Sequence, residues 1–172
     1  MANTDGSEAH VAIQGMGRTD WERVRAIRLR ALEDAPDAFW TTLEEARATE
    51  PATWQRRLAA PESRTFLAQE AGVDVGMAVG APHHAGSPAH AGLYGVWVAP
   101  EARGHGVGDT LIDAVVRWAR QRGYVRIRLD VGDHNVPAAR LYARNGFTPT
   151  GATSRFPPPR DHVVEHELAL DL

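Results

Sequence analysis

A glycine-rich loop, Arg103-Gly104-His105-Gly106-Val107-Gly108, stands between an apolar run that ends at Val98 and an amphipathic run over Asp109 to Arg122. A strand, a tight loop and a helix in that order leave the first helical N–H groups without intrahelical partners. They sit at the positive end of the helix dipole, which is a seat for phosphate. The loop lacks the lysine and Ser/Thr of a P-loop, which argues against nucleotide hydrolysis. Its glycine spacing misses the dinucleotide fingerprint, and it comes late in the chain, so a dinucleotide-dependent oxidoreductase is disfavoured. Read alone, the loop is also compatible with a plain turn.

The elements around it alternate. Val11 to Gln14 reads as a short strand. A helix starts at Trp21, capped by Thr19 or Asp20, and ends before Pro36. Ala38 to Thr49 reads as a second helix, and Pro51 starts a third carrying Trp54 and Leu58. Arg64 to Gln69 and Val73 to Val79 form a hairpin around Gly72. Ala81 to His90 is a polar loop, and Ala91 to Val98 is a strand in which Gly95 marks a bulge or close approach. After the glycine loop and its helix, Gly123 is a C-cap. Val125 to Val131 is a strand, and Val136 to Asn145 a helix capped by Asp133 or Asn135. Phe147 opens an extended segment, Arg155 to Asp161 is a proline-rich loop, and Val163 to Leu170 a last strand. Strands alternating with helices in the second half predict a partly parallel α/β sheet, which the hairpin makes mixed.

The chain has 172 residues, and its formal charge of -3 does not point to nucleic acid or a membrane surface, partners that usually need a basic face. It has no cysteine, which removes disulfides, thiolate metal sites and a cysteine nucleophile. No apolar run is long enough to span a bilayer. Met1 to His10 is polar, lacks secretory-signal regions, and reads as a disordered leader. The expected location is cytoplasmic, with residues 11–172 as a single domain.

A second segment completes the picture: Asn135-Val136-Pro137-Ala138-Ala139-Arg140-Leu141-Tyr142-Ala143-Arg144-Asn145-Gly146-Phe147. The glycine loop, at Arg103, Gly106 and Gly108, resembles motif A of the GCN5-related N-acetyltransferase (GNAT) family. Asn135, Ala138, Leu141, Tyr142, Gly146 and Phe147 resemble its motif B. The matched part spans Leu93 to Phe147. The resemblance implies a GNAT-like α/β fold: a mixed, splayed central β-sheet flanked by helices on both faces. It implies acetyl-CoA as co-substrate, no metal, a small-molecule amine as acceptor, and a homodimer.

The resemblance also implies site roles. The pyrophosphate would lie on the N–H groups of Arg103, Gly104, His105, Gly106, Val107 and Gly108. The pantetheine arm would pair with the backbone of Val96, Trp97 and Val98. Asn135 and Ala138 would complete the donor site. Tyr142 would give a proton to the departing thiolate, the alternative being a packed phenol bonded to backbone. Phe39, Trp40, Glu44 and Glu45 would shape the acceptor site. The strand before the glycine loop carries no acid; Glu101, in the turn beyond it, reads as a solvated charge, and Asp130, His134 and, from the second helix, Glu44 or Glu45 are the candidates for a base. A base-free route, a protein amine as acceptor and a non-catalytic acyl-CoA-binding sensor stay open. His83, His84 and His90 lack metal-ligand spacing and read as exposed loop residues.

Overall fold

The computed structural model describes residues 11–83 and 87–172. The leader expected over residues 1–10, and His84, lie outside the described residues. The first half contains β1 (Ala12–Gly15), α1 (Trp21–Asp34), α2 (Leu43–Ala48), α3 (Pro51–Ala59), β2 (Arg64–Glu70) and β3 (Val73–Pro82). The second contains β4 (His90–Val98), α4 (Val107–Gln121), β5 (Arg126–Gly132), α5 (Val136–Arg144), β6 (Thr148–Arg155) and β7 (Val164–Asp171). Among the described residues no helix is long and apolar enough to cross a membrane.

The strands form one sheet in the order β1-β2-β3-β4-β5-β7-β6. Among the described residues only β4 and β5 run parallel; the other neighbours are antiparallel. The parallel pair is short. It runs from His90 opposite Arg126 to Gly92 opposite Arg128 and stops there, although both strands continue. Beyond Gly92 the sheet therefore splays, as the family resemblance implies. Gly95 takes a φ of +60°, and the β3–β4 register slips beside it, between Met77 and Val79. An L side chain would strain that left-handed conformation, so glycine permits the bulge that starts the splay.

Helices cover both faces. On β3, Gly76 and Gly80 face α4: a Cβ there would meet Leu111 at 2.9 Å and Trp118 at 2.6 Å respectively. Strand alternation turns Met77 and Val79 the other way, toward α1. Leu111, Ile112, Val115, Ile127 and Leu129 form the buried centre between α4 and the sheet.

The second helix is shorter than the pattern predicts. Pro36–Ala38 is a single 3-10 turn, Phe39 leaves it in an extended conformation, and α2 starts only at Leu43. Two causes act, one local and one distant in sequence. Thr42 and Glu45 form a capping box, Thr42 N–H donating to Glu45 Oε2 at 2.8 Å and Glu45 N–H to Thr42 Oγ1 at 3.2 Å. Upstream, the Arg160 guanidinium donates to the carbonyls of Pro36 (3.0 Å), Phe39 (2.9 Å) and Trp40. Those carbonyls are thereby satisfied outside any helix.

Candidate functional site

The splay and the two motifs enclose a cleft of about 470 Å³. One wall is the end of β4, the other is α5, and the glycine loop closes one end. Gly106 caps α4 at a φ of +79°, in the left-handed region, with nothing within 4 Å of an added Cβ. Its carbonyl accepts Thr110 N–H at 3.1 Å, the first intrahelical bond of α4. The N–H groups of Val107, Gly108 and Asp109 precede that bond and have no carbonyl to meet inside the helix. Gly108 serves packing instead, since a Cβ there would stand 2.9 Å from Leu141 of α5.

Asp109 is an acid beside this anion seat. Arg144 grips it with two bonds of 2.8 Å, and Asn145 Nδ2 donates a third at 2.8 Å. Arg144 in the first place, with Asn145, holds the carboxyl below its usual range despite partial burial. Its charge is thus drawn toward α5 and fastens α5 to α4.

Ala99 N–H donates to Val75 O at 2.8 Å, and Trp97 lies opposite Met77. Antiparallel alternation therefore turns the N–H and C=O of Val98 away from β3, toward the gap left by β5. Val98 O accepts Arg103 Nε at 3.0 Å. The same guanidinium donates to Asp34 Oδ2, which also accepts the Trp97 indole N–H at 2.9 Å. Arg103 thus reaches back across the cleft instead of over the loop. Burial raises the Asp34 pKa, but Trp97 and Arg103 outweigh it and hold the carboxyl low.

Tyr142 is 8% exposed and lines the cleft. Its ring meets Phe147 edge-on at 6.0 Å. Among the described residues no hydrogen bond is made by its hydroxyl, so the backbone-bonded phenol considered from the sequence is not what the structure contains. Burial pushes the phenol pKa up, and the group stays neutral. Asn135 caps α5, its Oδ1 accepting Ala138 N–H at 3.3 Å, with Asn135 and Ala138 on the cleft wall.

The cleft gathers Val96, Trp97, Val98, Arg103, Gly104, Gly106, Val107, Gly108, Asn135, Ala138, Tyr142 and Phe39. His105 is exposed, with Nδ1 3.7 Å from Glu70 Oε1, and does not line it. Glu45 is spent on its capping box and Glu44 is exposed. Neither of these two acids lines the cleft.

Trp40 stands on the α1 face of the sheet, 56% exposed, with its indole N–H donated to Glu165 Oε2 at 2.8 Å. Ser154 donates to the same oxygen at 3.2 Å. Glu165 is 6% exposed. Burial raises its pKa, the charge of Asp130 adds to the rise, and the bonds from Trp40 and Ser154 oppose it. Asp130 lies opposite Glu167, and Gly132 opposite Glu165, so the three carboxylates share one face beyond the splay. The Asp130 carboxylate reaches solvent, yet desolvation by its surroundings and the Glu167 charge raise its pKa. Glu101 is held low by its own backbone N–H and by Arg30, 2.7 Å away, in an exposed ion pair. His134 lies 3.7 Å from Asp133 and folds back over Gly132.

Sequence reasoning missed Asp34, Glu165 and Arg160. Asp34 had a signal: an acid in the last turn of a helix opposes the dipole unless something cationic meets it. Glu165 had none: it lies on the polar side of the strand's alternation, and its burial comes from Trp40, which sits far away in sequence. Arg160 sits in a loop with no periodicity to mark it.

The geometry is that of a known class, and the comparisons place the chain within it. A profile of the acetyltransferase (GNAT) family matches residues 21–147, and the chain belongs to that family. Among curated relatives, the mycothiol acetyltransferase of Thermomonospora curvata is 31% identical over 159 residues, covering 92% of this chain and 50% of its own length. The chain spans about half or less of the curated mycothiol acetyltransferases it matches. Among solved structures, the yncA acetyltransferase of Salmonella typhimurium, determined with its cofactor acetyl-CoA, shares the fold. Its TM-score is 0.78 at 19% identity, over 95% of this chain and 94% of that one. A GCN5-related N-acetyltransferase from Kribbella flavida gives a TM-score of 0.70 at 26% identity, covering 96% and 99%.

Proposed function

We propose that the chain transfers an acetyl group from acetyl-CoA to a primary amine of a small molecule, by direct attack in a ternary complex. The observation that carries the reading is the Tyr142 phenol, buried in the cleft wall with no hydrogen-bond partner among the described residues. Such a group is placed to donate to something the cleft admits. The donor fits the cleft: free N–H groups at the start of α4 for pyrophosphate, and outward backbone groups at Val98 for the amide-bearing arm. A relative named for mycothiol acetylation supports a small-molecule acceptor.

In this reading the neutral amine nitrogen attacks the thioester carbonyl carbon, and a C–N bond forms as the carbonyl oxygen takes up negative charge. Backbone N–H groups near Gly95 to Trp97 meet that charge. Collapse breaks the C–S bond, and the thiolate takes the Tyr142 proton. The nitrogen loses its proton to Asp130, whose raised pKa suits a base better than an ordinary carboxylate. Solvent relays a proton back to the phenol, leaving amide and free thiol. A cytoplasmic location and a homodimer belong to the same proposal, and sedimentation in solution reads the second.

The test is thiol release from acetyl-CoA across a panel of amines. Tyr142→Phe is expected to lower kcat by about 10²–10⁴-fold while leaving acetyl-CoA affinity unchanged. Binding of acetyl-CoA without thiol release from any amine would instead mark a binding module.

A further inference from the structure

Arg28 projects from α1 onto the β4 bulge, where an ideal Cβ on Gly95 would stand 3.5 Å from its Nη1. Its guanidinium carbon lies 4.3 Å from the centre of the Phe39 ring, which lines the cleft. Other arginines here meet acids: Arg23, Arg30, Arg126, Arg128 and Arg144 each have a carboxylate oxygen within 3.1 Å. Arg28 has no hydrogen bond or ion pair among the described residues. Burial and the like charge of Arg57 on α3 bring its pKa down to about 10.

A partly desolvated guanidinium without an anion is unfavourable, and a ligand that supplies the anion removes the cost. The cation–π contact with Phe39 holds the guanidinium in place, and its fork is the shape that takes a carboxylate with two parallel bonds. The next residue, Trp40, is tied to Glu165, which shares its sheet face with Asp130. One pair of aromatics is thus flanked by an unpaired cation on one side and carboxylates on the other.

We propose that Arg28, with Arg57 beside it, binds a carboxylate of the acceptor, so that the substrate is an amino-acid-type amine bearing both charges. The proposal rests on the acetyl-transfer reading above and names its acceptor class. The carboxylates at Asp130 and Glu165 receive the amine, and Arg28 sets which amines enter.

The experiment compares matched sets of an amino acid, its methyl ester and its decarboxylated amine, with acetyl-CoA and the full chain. Wild type is expected to prefer the free acid in kcat/KM by about tenfold or more, the worth of a charged hydrogen-bonded pair. Arg28→Met is expected to erase that preference by raising KM for the acid alone, with the KM for acetyl-CoA unchanged. Arg28→Lys, which keeps the charge and loses the fork, is expected to retain part of it. Equal use of acid and ester by wild type, or an equal loss on both in Arg28→Met, overturns the proposal while leaving acetyl transfer standing. Thiol release from no amine at all overturns the acetyl-transfer reading, and this inference with it.

Discussion

In the proposed reading, the donor end of the cleft is made by nearby stretches of one chain segment, whereas the acceptor end is assembled from parts far apart in sequence. From Val96 to Tyr142, the strand end and the glycine loop offer backbone N–H and C=O groups, and α5 lines the cleft with Asn135, Ala138 and Tyr142. The proposed acceptor side draws on Arg28 from α1, Phe39 and Trp40 from the connection after it, Asp130 from β5 and Glu165 from β7, of which Phe39 lines the cleft itself. Arg160, from the loop before β7, clamps that connection through three carbonyls. On that reading the first end would recognise a ligand common to a family largely through backbone that any sequence possesses, and the second would discriminate among acceptors through side chains.

Substitutions that separate the two ends sharpen this contrast. At the donor end the effect is expected from Gly106→Val. Its φ of +79° puts an L residue in the left-handed region, at a cost of about 1–2 kcal/mol. The strained loop should relax by moving its N–H groups, raising the KM for acetyl-CoA by about tenfold or more for the loss of a charged contact. The acceptor KM should not move.

Asp130→Asn acts at the other end. Its carboxyl pKa is raised by desolvation and by Glu167, so the acid form persists to higher pH than the usual value of about 3.9. A base must be deprotonated to act. The acid limb of kcat/KM should therefore lie above the ordinary carboxylate range, with activity falling as pH drops through it. Asp130→Asn should remove that limb and reduce kcat/KM by about 10²-fold. An unchanged pH profile would assign the proton to solvent instead.

Arg160→Ala is the mildest. It frees the carbonyls of Pro36, Phe39 and Trp40 and loosens the aromatic pair. The acceptor KM should rise by about three- to tenfold, a misplacement effect, with donor KM and kcat nearly constant. An equal change in both KM values would erase the distinction between the ends.

The same contrast decides what the sequence reveals. The donor end is legible because its residues lie in two contiguous motifs, and glycines mark the backbone that carries the function. The splay is legible only through resemblance; in the structure it follows from Gly95 and from β4–β5 pairing that stops at Gly92. The helix expected over Ala38 to Thr49 shortens because Arg160, more than a hundred residues downstream, takes its first carbonyls. No local pattern encodes that. Glu44 and Glu45 look like acceptor acids because they share a segment with Phe39 and Trp40. The capping box uses one and solvent receives the other, while the acids near Trp40 come from β5 and β7 by sheet register.

Calorimetric titration of acetyl-CoA into wild type, Gly106→Val and Arg160→Ala tests the central claim most directly. The account predicts one site per chain in wild type, binding weakened by about tenfold or more in Gly106→Val, and wild-type affinity in Arg160→Ala. No binding to wild type, or equal weakening in both variants, would contradict it.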